Sequence, residues 1–312
     1  MKRFRNILFV ADQADSLSRV FHRALDLAQA NGARLTVMDT VERMVWNVEN
    51  QAHFGTDLST LLRDQRREEL ERLIAPYRSG GLQIETLVEI GTPFMEAILA
   101  TLRNRYDLVI KSAEQAQGLR THPFGPNDLH LLRKCPCPVW IDHERGMQPY
   151  RKLVAAVNPI GDDDEGLAKT ILDLAFSLQA QEGTEVHIAH AWRLPGERAL
   201  RLQQQAGPQR VSAMLAEQKN MHAQALAGLL QPYGLTLDDP NVHFEKGLAA
   251  PMISSLAEAL PADLIITGTL GRSGIPGFFI GNTAEALIQT IDMPILAIKP
   301  AGFVSPITLQ GV

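Results

Sequence analysis

Short apolar runs alternate with longer segments of helical periodicity along the whole chain. Runs such as LVI at 108–110 and LIIT at 264–267 are continuously apolar, as expected of parallel strands that are covered on both faces. The pattern predicts helices at 14–30, 57–79, 93–104 and 127–134 in the first half, and at 164–180, 208–231, 250–259 and 282–291 in the second. Strands that alternate with helices predict a mostly parallel sheet in a doubly wound, Rossmann-like α/β fold.

The second half of the chain repeats the first. The pairs Gly91 and Gly247, Asp107 and Asp263, Gly125 and Gly281, and Pro138 and Pro294 are each 156 residues apart. A constant offset over four landmarks indicates a tandem duplication. We therefore predict two similar domains, 1–148 and 149–312, related by a pseudo-two-fold axis. The boundary is placed in a polar stretch with Gly146 and Pro149, just before the first strand of the second copy.

A glycine-rich stretch, IITGTLGRSGIPGFFIGNTAEALI at 265–288, joins a predicted strand to a predicted helix. Glycine lets a ligand approach the backbone without a Cβ in the way, and the free N–H groups and dipole of a helix N-terminus favour an anion. Asn282 is the predicted N-cap, with Glu285 three residues later as in a capping box. The stretch predicts a phosphate site, although it matches neither the G-x-G-x-x-G fingerprint nor a P-loop. The alternative is that the glycines only shape the loop.

The corresponding stretch of the first half has lost most of these glycines. Ser112 and Gln115 stand at the first two glycine positions, and only Gly125 is retained. Side chains at these positions would block a close approach to the backbone, and the carboxylate of Glu114 would repel a phosphate. We therefore predict that the first domain is a degenerate partner of the second.

Composition and charge narrow the classes of function. The 312 residues carry a net charge of −5, which argues against a general nucleic-acid binder. The charged run at 61–73 has leucines at helical spacing and is predicted to be a solvated helix face. No apolar run reaches the length of a membrane span, and the N-terminus lacks the features of a signal peptide. A cytoplasmic location is therefore expected.

The cysteines and histidines predict no metal site and no catalytic arrangement. Cys135 and Cys137 are interpreted as structural thiols that point to opposite faces of the lead into a strand, because no further ligand lies nearby at a workable spacing. His187 and His190 are predicted to face opposite sides of their strand. No metal spacing is found for His22, His53, His122, His130 and His222. Nothing in the pattern requires catalysis.

Gly268, Gly271 and Gly281, spaced by two and nine residues and followed by a small polar residue, resemble the ATP-binding motif of the universal stress protein family. With its two copies, the chain resembles the tandem universal stress proteins of bacteria over essentially its whole length. The resemblance implies a five-stranded α/β domain in each copy. It also implies that the two domains dock edge to edge through their last strands, here 138–142 and 294–298.

The resemblance also implies binding residues. A phosphate loop would comprise Gly268, Gly271, Gly281, Asn282 and Thr283, and Asn158 would contact the nucleoside. The family usually has Ser or Thr where this chain has Asn282, and Asp where it has Asn158. Asn donates as well as accepts hydrogen bonds, whereas an ionised Asp only accepts them. The acidic run at 162–165 is interpreted as favouring a helix N-terminus rather than binding Mg²⁺.

Two functions of different classes remain open at this point. In the first, a stress-response protein binds an adenine nucleotide, ATP with or without Mg²⁺, in its second domain and at most hydrolyses it slowly. In the second, the protein is a scaffold or regulatory stress protein that does not bind ATP, and its domains hold another ligand, an apolar one included. The pattern also leaves open whether two chains pair as a homodimer.

Overall fold

A computed structural model describes residues 4–11, 18–44, 57–114, 124–143, 149–160, 165–202, 207–269 and 281–309. The strands are β1 (Asn6–Val10), β2 (Arg34–Val41), β3 (Ile84–Ile90), β4 (Leu108–Ser112), β5 (Val139–Asp142), β6 (Lys152–Ala156), β7 (Glu185–Trp192), β8 (Val242–Lys246), β9 (Leu264–Gly268) and β10 (Ile295–Ile298). The helices are α1 (Arg19–Asn31), α2 (Leu58–Ile74), α3 (Pro93–Asn104), α4 (Pro126–Lys134), α5 (Glu165–Glu182), α6 (Glu197–Leu202), α7 (Pro208–Leu230), α8 (Ala249–Ala259) and α9 (Asn282–Thr290).

The described strands form one ten-stranded sheet in the order β3-β2-β1-β4-β5-β10-β9-β6-β7-β8. Neighbouring strands run parallel, except that β5 and β10 pair antiparallel at the centre. The register there sets Trp140 opposite Leu296, and these positions are 156 residues apart. Equivalent positions therefore face each other across the join, as a two-fold relation requires. The predicted fold class and the predicted pairing through the last strands are confirmed.

The two faces of the sheet are both covered by helices. Ile7 and Phe9 of β1 contribute to one buried layer, and Leu8 and Val10 contribute to the other. Helices α1, α2, α5 and α7 bury residues in the first layer, and α3, α4, α8 and α9 bury residues in the second. Burial on both faces explains why the strands are continuously apolar in sequence.

The predicted helices are present, with some ends shifted. Helix α1 begins at Arg19 instead of 14, because the hydroxyl of Ser18 accepts the amide of Phe21 and caps the helix. Helix α2 ends at Ile74 and continues as a 3₁₀ helix over Ala75–Gly80. The short helix α6 was not predicted. The predicted domain boundary adjoins 144–148, outside the described residues, and stays a prediction.

The two cysteines lie together, and the prediction that they point to opposite faces is wrong. Their Sγ atoms are 3.6 Å apart, and both residues are buried as free thiols. Strand β5 begins only at Val139, and the amide of Cys135 donates to the carbonyl of Leu131 at the end of α4. The alternation of a strand therefore does not apply to this bend.

Ion pairs join the two halves on both sides of the central strands. Arg23 of α1 lies 2.9 Å from Glu182 of α5, and Arg133 of α4 pairs with Glu285 of α9. These contacts fix α9, which borders the candidate site, relative to the first domain.

Within the described ranges, no helix is both long and apolar enough to cross a membrane.

Candidate functional site

A cavity of about 610 Å³ lies at the carboxyl ends of β6, β7 and β9 in the second half of the chain. Strand β6 has β7 on one side and β9 on the other, so the strand order reverses at β6. Doubly wound sheets bind their ligands in the crevice outside such a reversal point. The volume falls within the range of small-molecule sites, about 300–1,000 Å³.

Four of the residues predicted to bind a ligand line this cavity. They are Asn158, Gly268, Gly281 and Thr283. Gly271 lies outside the described residues, and Asn282 is the first residue of α9. Geometry thus brings most of the predicted set to one place, and their role in binding stays a prediction.

Small or absent side chains keep this cavity open. A Cβ added to Gly268 would lie 2.7 Å from Cδ2 of Leu167, which also lines the cavity. The exposed Asn158 follows β6, and its Nδ2 donates to the carbonyl of Ile160 at 3.1 Å. Arg193 adds a positive charge to the lining. The cavity therefore combines an apolar floor with a few polar groups, as ligand sites do.

Helix α9 presents its N-terminus to the cavity and begins at residue 282, as predicted, but its N-cap lies one residue before the predicted one. The N-cap is Gly281, in an extended conformation, and not Asn282, so the predicted cap is wrong. The carbonyl of Gly281 accepts the amide of Glu285 at 2.9 Å, and the Glu285 carboxylate pairs with Arg133. A glycine cap has no side-chain oxygen to bond the first helical amides, so these amides remain suited to an anion.

Two histidines form a pair in the cavity wall that sequence reasoning missed. Nε2 of His190 lies 2.8 Å from Nδ1 of His222, and Nδ1 of His190 lies 3.0 Å from the carbonyl oxygen of Val157. Burial lowers the pKa of His190 to about 4, so this ring is neutral at neutral pH. The two residues are 32 positions apart in sequence, a separation at which neither strand alternation nor metal-ligand spacing indicates a contact.

Metal ligation finds no support in the described part of the chain. No group of three or more His, Cys, Asp or Glu side chains there could hold an ion. Residues 162–164 of the acidic run lie outside the described residues, and Glu165 begins α5. The interpretation of this run as a helix N-terminus is therefore supported only at its last residue.

The equivalent end of the first domain holds a buried ion pair. Nζ of Lys111 lies 2.9 Å from Oδ1 of Asp128, and both side chains are inaccessible to solvent. These residues stand 156 positions before Thr267 and Ala284, which line the cavity of the second domain. A charged pair thus fills the place where the second domain has two small side chains.

A carboxylate occupies the N-terminus of α4 in the first domain. Oε2 of Glu114 accepts the backbone amide of Asn127 at 3.2 Å, and Oε1 accepts the side-chain amide of the same residue. A Cβ on Gly125, the N-cap of α4, would lie 1.6 Å from Oε2 of Glu114. The predicted loop carboxylate therefore lies at the helix end that would otherwise attract an anion.

Comparison with known proteins points to one family. The model of the Universal stress protein family matches residues 3–143 and 149–299. Universal stress protein E of Escherichia coli (strain K12) is 30% identical over 322 residues, which cover 99% of this chain and 98% of that protein. Universal stress protein E of Photorhabdus laumondii subsp. laumondii is 28% identical, covering 98% of each.

Solved structures show the same fold over both halves. A putative universal stress protein from Pseudomonas aeruginosa UCBPP-PA14 aligns with a TM-score of 0.72 at 22% identity, covering 96% of this chain and 94% of that one. A universal stress protein from Archaeoglobus fulgidus DSM 4304 aligns with a TM-score of 0.62 at 17% identity, covering 94% and 98%. The likeness extends along the full length of these proteins.

Proposed function

This chain belongs to the universal stress protein family, and from that membership we propose that it serves the stress response by binding an adenine nucleotide, ATP, in its second domain. The observation that carries the proposal is the cavity at the reversal point of the sheet. It is lined by Asn158, Gly268, Gly281 and Thr283 and bordered by the N-terminus of α9. A site of this kind suits a ligand with an anionic end and a mainly apolar body.

The phosphates are assigned to the N-terminus of α9. The amides of a first helical turn have no partner within the helix, and both these amides and the positive end of the helix dipole favour negative charge. Gly268 and Gly281 leave the backbone open to close approach, and Thr283 supplies a hydroxyl. Any Mg²⁺ would accompany the nucleotide and be held mainly by its phosphates, as is usual for this ion.

The nucleoside is assigned to the region beyond β6. Asn158 follows this strand, and its side chain can both donate and accept hydrogen bonds. Val157, Ile171 and Ile253 give the cavity an apolar lining against which a base would pack. Asn in place of the family's Asp keeps an acceptor at this position and removes a negative charge that would repel the phosphates.

One site per chain follows from the state of the first domain. There the Lys111–Asp128 pair fills the equivalent space, and Glu114 occupies the helix N-terminus. A nucleotide would have to displace a carboxylate that already accepts the helical amide and would meet its negative charge. We therefore assign the first domain a supporting role. It holds α9 in place through the Arg133–Glu285 ion pair and the pairing of the central strands.

A thermal-shift screen tests the proposal. ATP, ADP and AMP, each with and without Mg²⁺, are compared with a panel of lipids, because a ligand that binds only the folded state raises its stability. At a hundred times Kd the gain is about 2.7 kcal/mol, which raises the Tm measurably. A shift with adenine nucleotides supports the proposal. A shift with lipids alone would favour the scaffold that holds an apolar ligand.

A further inference from the structure

The two cysteines form a pair of thiols at the end of α4, away from the residues that line the cavity. Their Sγ atoms are 3.6 Å apart, and both residues are buried. A disulfide bond needs sulfurs about 2.0 Å apart, so rotations of the two side chains that shorten the separation by about 1.6 Å would bring them to bonding distance. Cys135 and Cys137 are the two cysteines of the chain, so each is the partner available to the other within one molecule.

The duplication shows that the bend after α4 does not require thiols. Ile291 and Met293 stand 156 residues after Cys135 and Cys137. Ile291 ends α9 with φ −83° and ψ 135°, close to the φ −63° and ψ 134° with which Cys135 ends α4. The second domain thus builds the same bend from ordinary apolar side chains. Backbone geometry therefore does not account for the thiols of the first domain, and the property that distinguishes them is the chemistry of sulfur.

A buried ammonium group from the other domain lies at the same helix end. Lys299 follows β10 and is only 9% exposed. Its Nζ donates to the carbonyls of Leu132 and Arg133 in the last turn of α4, so the side chain crosses the join between the domains. A buried positive charge is costly unless a negative charge lies nearby.

The thiols and the ammonium act on one another. Burial alone would raise the pKa of Cys135, but hydrogen bonds with Cys137 and the charge of Lys299 outweigh it and lower that pKa. Burial and the adjacent Cys135 sulfur raise the pKa of Cys137. Burial lowers the pKa of Lys299 to about 8, and the two cysteines oppose that change. The arrangement thus favours a thiolate at Cys135 beside a thiol at Cys137, and the thiolate is the nucleophilic form of cysteine.

Access to the pair is narrow. Cys135 is fully buried, whereas Cys137 keeps an exposed fraction of 8%. An oxidant that reaches these sulfurs must therefore be small. Hydrogen peroxide and small alkyl hydroperoxides meet this condition, whereas a disulfide of glutathione or of another protein must bring a bulky group into line with the attacking sulfur.

We propose that Cys135 and Cys137, beside the Lys299 ammonium, form an oxidation site that small hydroperoxides convert to an intramolecular disulfide. The Cys135 thiolate attacks the hydroxyl oxygen of the hydroperoxide, the O–O bond breaks, and the alkoxide or hydroxide that leaves takes a proton from solvent. Cys135 is then a sulfenic acid. The sulfur of Cys137 attacks the Cys135 sulfur, the S–O bond breaks, and the hydroxide leaves as water with the Cys137 proton. The two thiols lose two electrons, which the hydroperoxide gains.

Thiol counting and intact mass of the full chain test the site. The reduced, folded protein is treated with hydrogen peroxide, quenched, and then unfolded for the count. In the wild type both thiols should be lost, and the monomer should lose the mass of two hydrogen atoms. Cys137→Ser keeps the nucleophile without its partner, so dimedone, a reagent for sulfenic acids, should label Cys135. Cys135→Ser should keep its remaining thiol and take no label.

Lys299→Met tests the part of the ammonium, because it keeps the length of the side chain and removes the charge. It should slow the loss of thiols about tenfold, as a pKa higher by one unit lowers the thiolate fraction by that factor. Lys134→Met is the matched control. It removes a positive charge from the last turn of α4 that is absent from the groups acting on either thiol, and it should react at the wild-type rate.

The contrary outcomes are distinct. Retention of both thiols in the folded wild type, with loss only after unfolding, would overturn the site. Loss of thiols through dimers of two chains, or through sulfinic acids without a disulfide, would overturn the pairing. A label in Cys135→Ser and none in Cys137→Ser would overturn the assignment of the nucleophile. Equal rates in Lys299→Met and Lys134→Met would overturn the role of Lys299. None of these results depends on whether the second domain binds a nucleotide.

Discussion

The end of β4 with the start of α4 in the first domain is equivalent to the end of β9 with the start of α9 in the second. The side chains between these elements differ in the two domains. The first holds a buried ion pair and a carboxylate at the helix N-terminus. The second holds a cavity of about 610 Å³ that borders the same helix end. The exchanged residues at equivalent positions are Lys111 and Thr267, Ser112 and Gly268, and Asp128 and Ala284.

The comparison shows that a carboxylate of the chain itself can close a binding site, by accepting the backbone amides that would otherwise bind a ligand. Asp128 accepts the amides of Glu114 and Gly125 at 2.9 and 3.1 Å, so the loop and the helix start are bonded to one buried carboxylate. A buried charge requires such partners, because desolvation without them costs several kcal/mol. In the second domain the amide of Gly281 instead donates to the carbonyl of Thr269, so a backbone carbonyl takes the place of the buried carboxylate.

Breaking the first-domain pair should have the largest effect. Lys111→Thr installs the second-domain residue and leaves Asp128 buried without its cation, which costs about 3–5 kcal/mol of unfolding free energy. The double variant with Asp128→Ala should cost less than the sum of the single variants, because the two residues form one network. Chemical denaturation measures all three. Strictly additive losses would contradict the pairing.

The histidine pair should make the second domain sensitive to acid. The pKa of His190 is lowered from 6.5 to about 4 by burial, so between these values the unfolded chain binds a proton that the folded chain does not. Its contribution to stability is complete above about pH 6.5, falls as the pH drops toward 4, and amounts to about 3 kcal/mol for the full shift.

His190→Phe should flatten the rise of stability with pH across this window, as measured by Tm between pH 4 and 7. Burial raises the pKa of Asp142, which acts in the opposite direction, but that group is common to both proteins and cancels in the difference. An identical pH profile in the variant would contradict the assignment of a neutral, buried imidazole.

Filling the cavity should abolish the difference in ligand binding between the domains. Gly268→Val adds a side chain whose Cβ would lie 2.7 Å from Leu167, and overpacking of about 2 kcal/mol would weaken ATP binding some thirtyfold. Ser112→Val makes the equivalent change in the first domain and should leave the affinity unchanged. Isothermal titration distinguishes them, and a loss in Ser112→Val alone would reverse the assignment.

Removing the negative charge of Glu114 should have the smallest effect on stability. Glu114→Gln keeps the shape of the side chain but removes the negative charge at the N-terminus of α4, which costs about 1 kcal/mol. Exposed Glu258 of α8 is the matched control, and Glu258→Gln should leave the Tm within error of the wild type. Equal Tm values for both variants would remove the capping role from Glu114.

The architecture was predictable because it depends on sequence patterns that occur in both halves of the chain. The offset of 156 residues and the continuous apolar strands identified two α/β copies, and the symmetric pairing of Trp140 with Leu296 reflects that offset. The identity of the closed domain was predictable as well. Ser112 and Glu114 stand where the ligand would need bare backbone, and steric and charge arguments apply to such positions without coordinates.

Contacts that depend on side chains meeting in space could not be predicted. Lys111 and Asp128 become partners only when β4 and α4 pack together, and His190 meets His222 only across β7 and α7. The error at Asn282 concerns only the N-cap. A side-chain cap was expected at Asn282, whereas the helix is capped one residue earlier by Gly281. The error at Cys135 came from applying strand alternation to a bend.

The stoichiometry of ATP binding tests the central claim most directly. Isothermal titration of the full chain should give one equivalent of ATP per chain, and this binding should be lost or strongly weakened in Gly268→Val and kept in Ser112→Val. Binding of two equivalents would show that Glu114 and the Lys111–Asp128 pair do not close the site of the first domain. Binding of one equivalent that survives Gly268→Val and fails in Ser112→Val would place the site in the first domain and contradict the account.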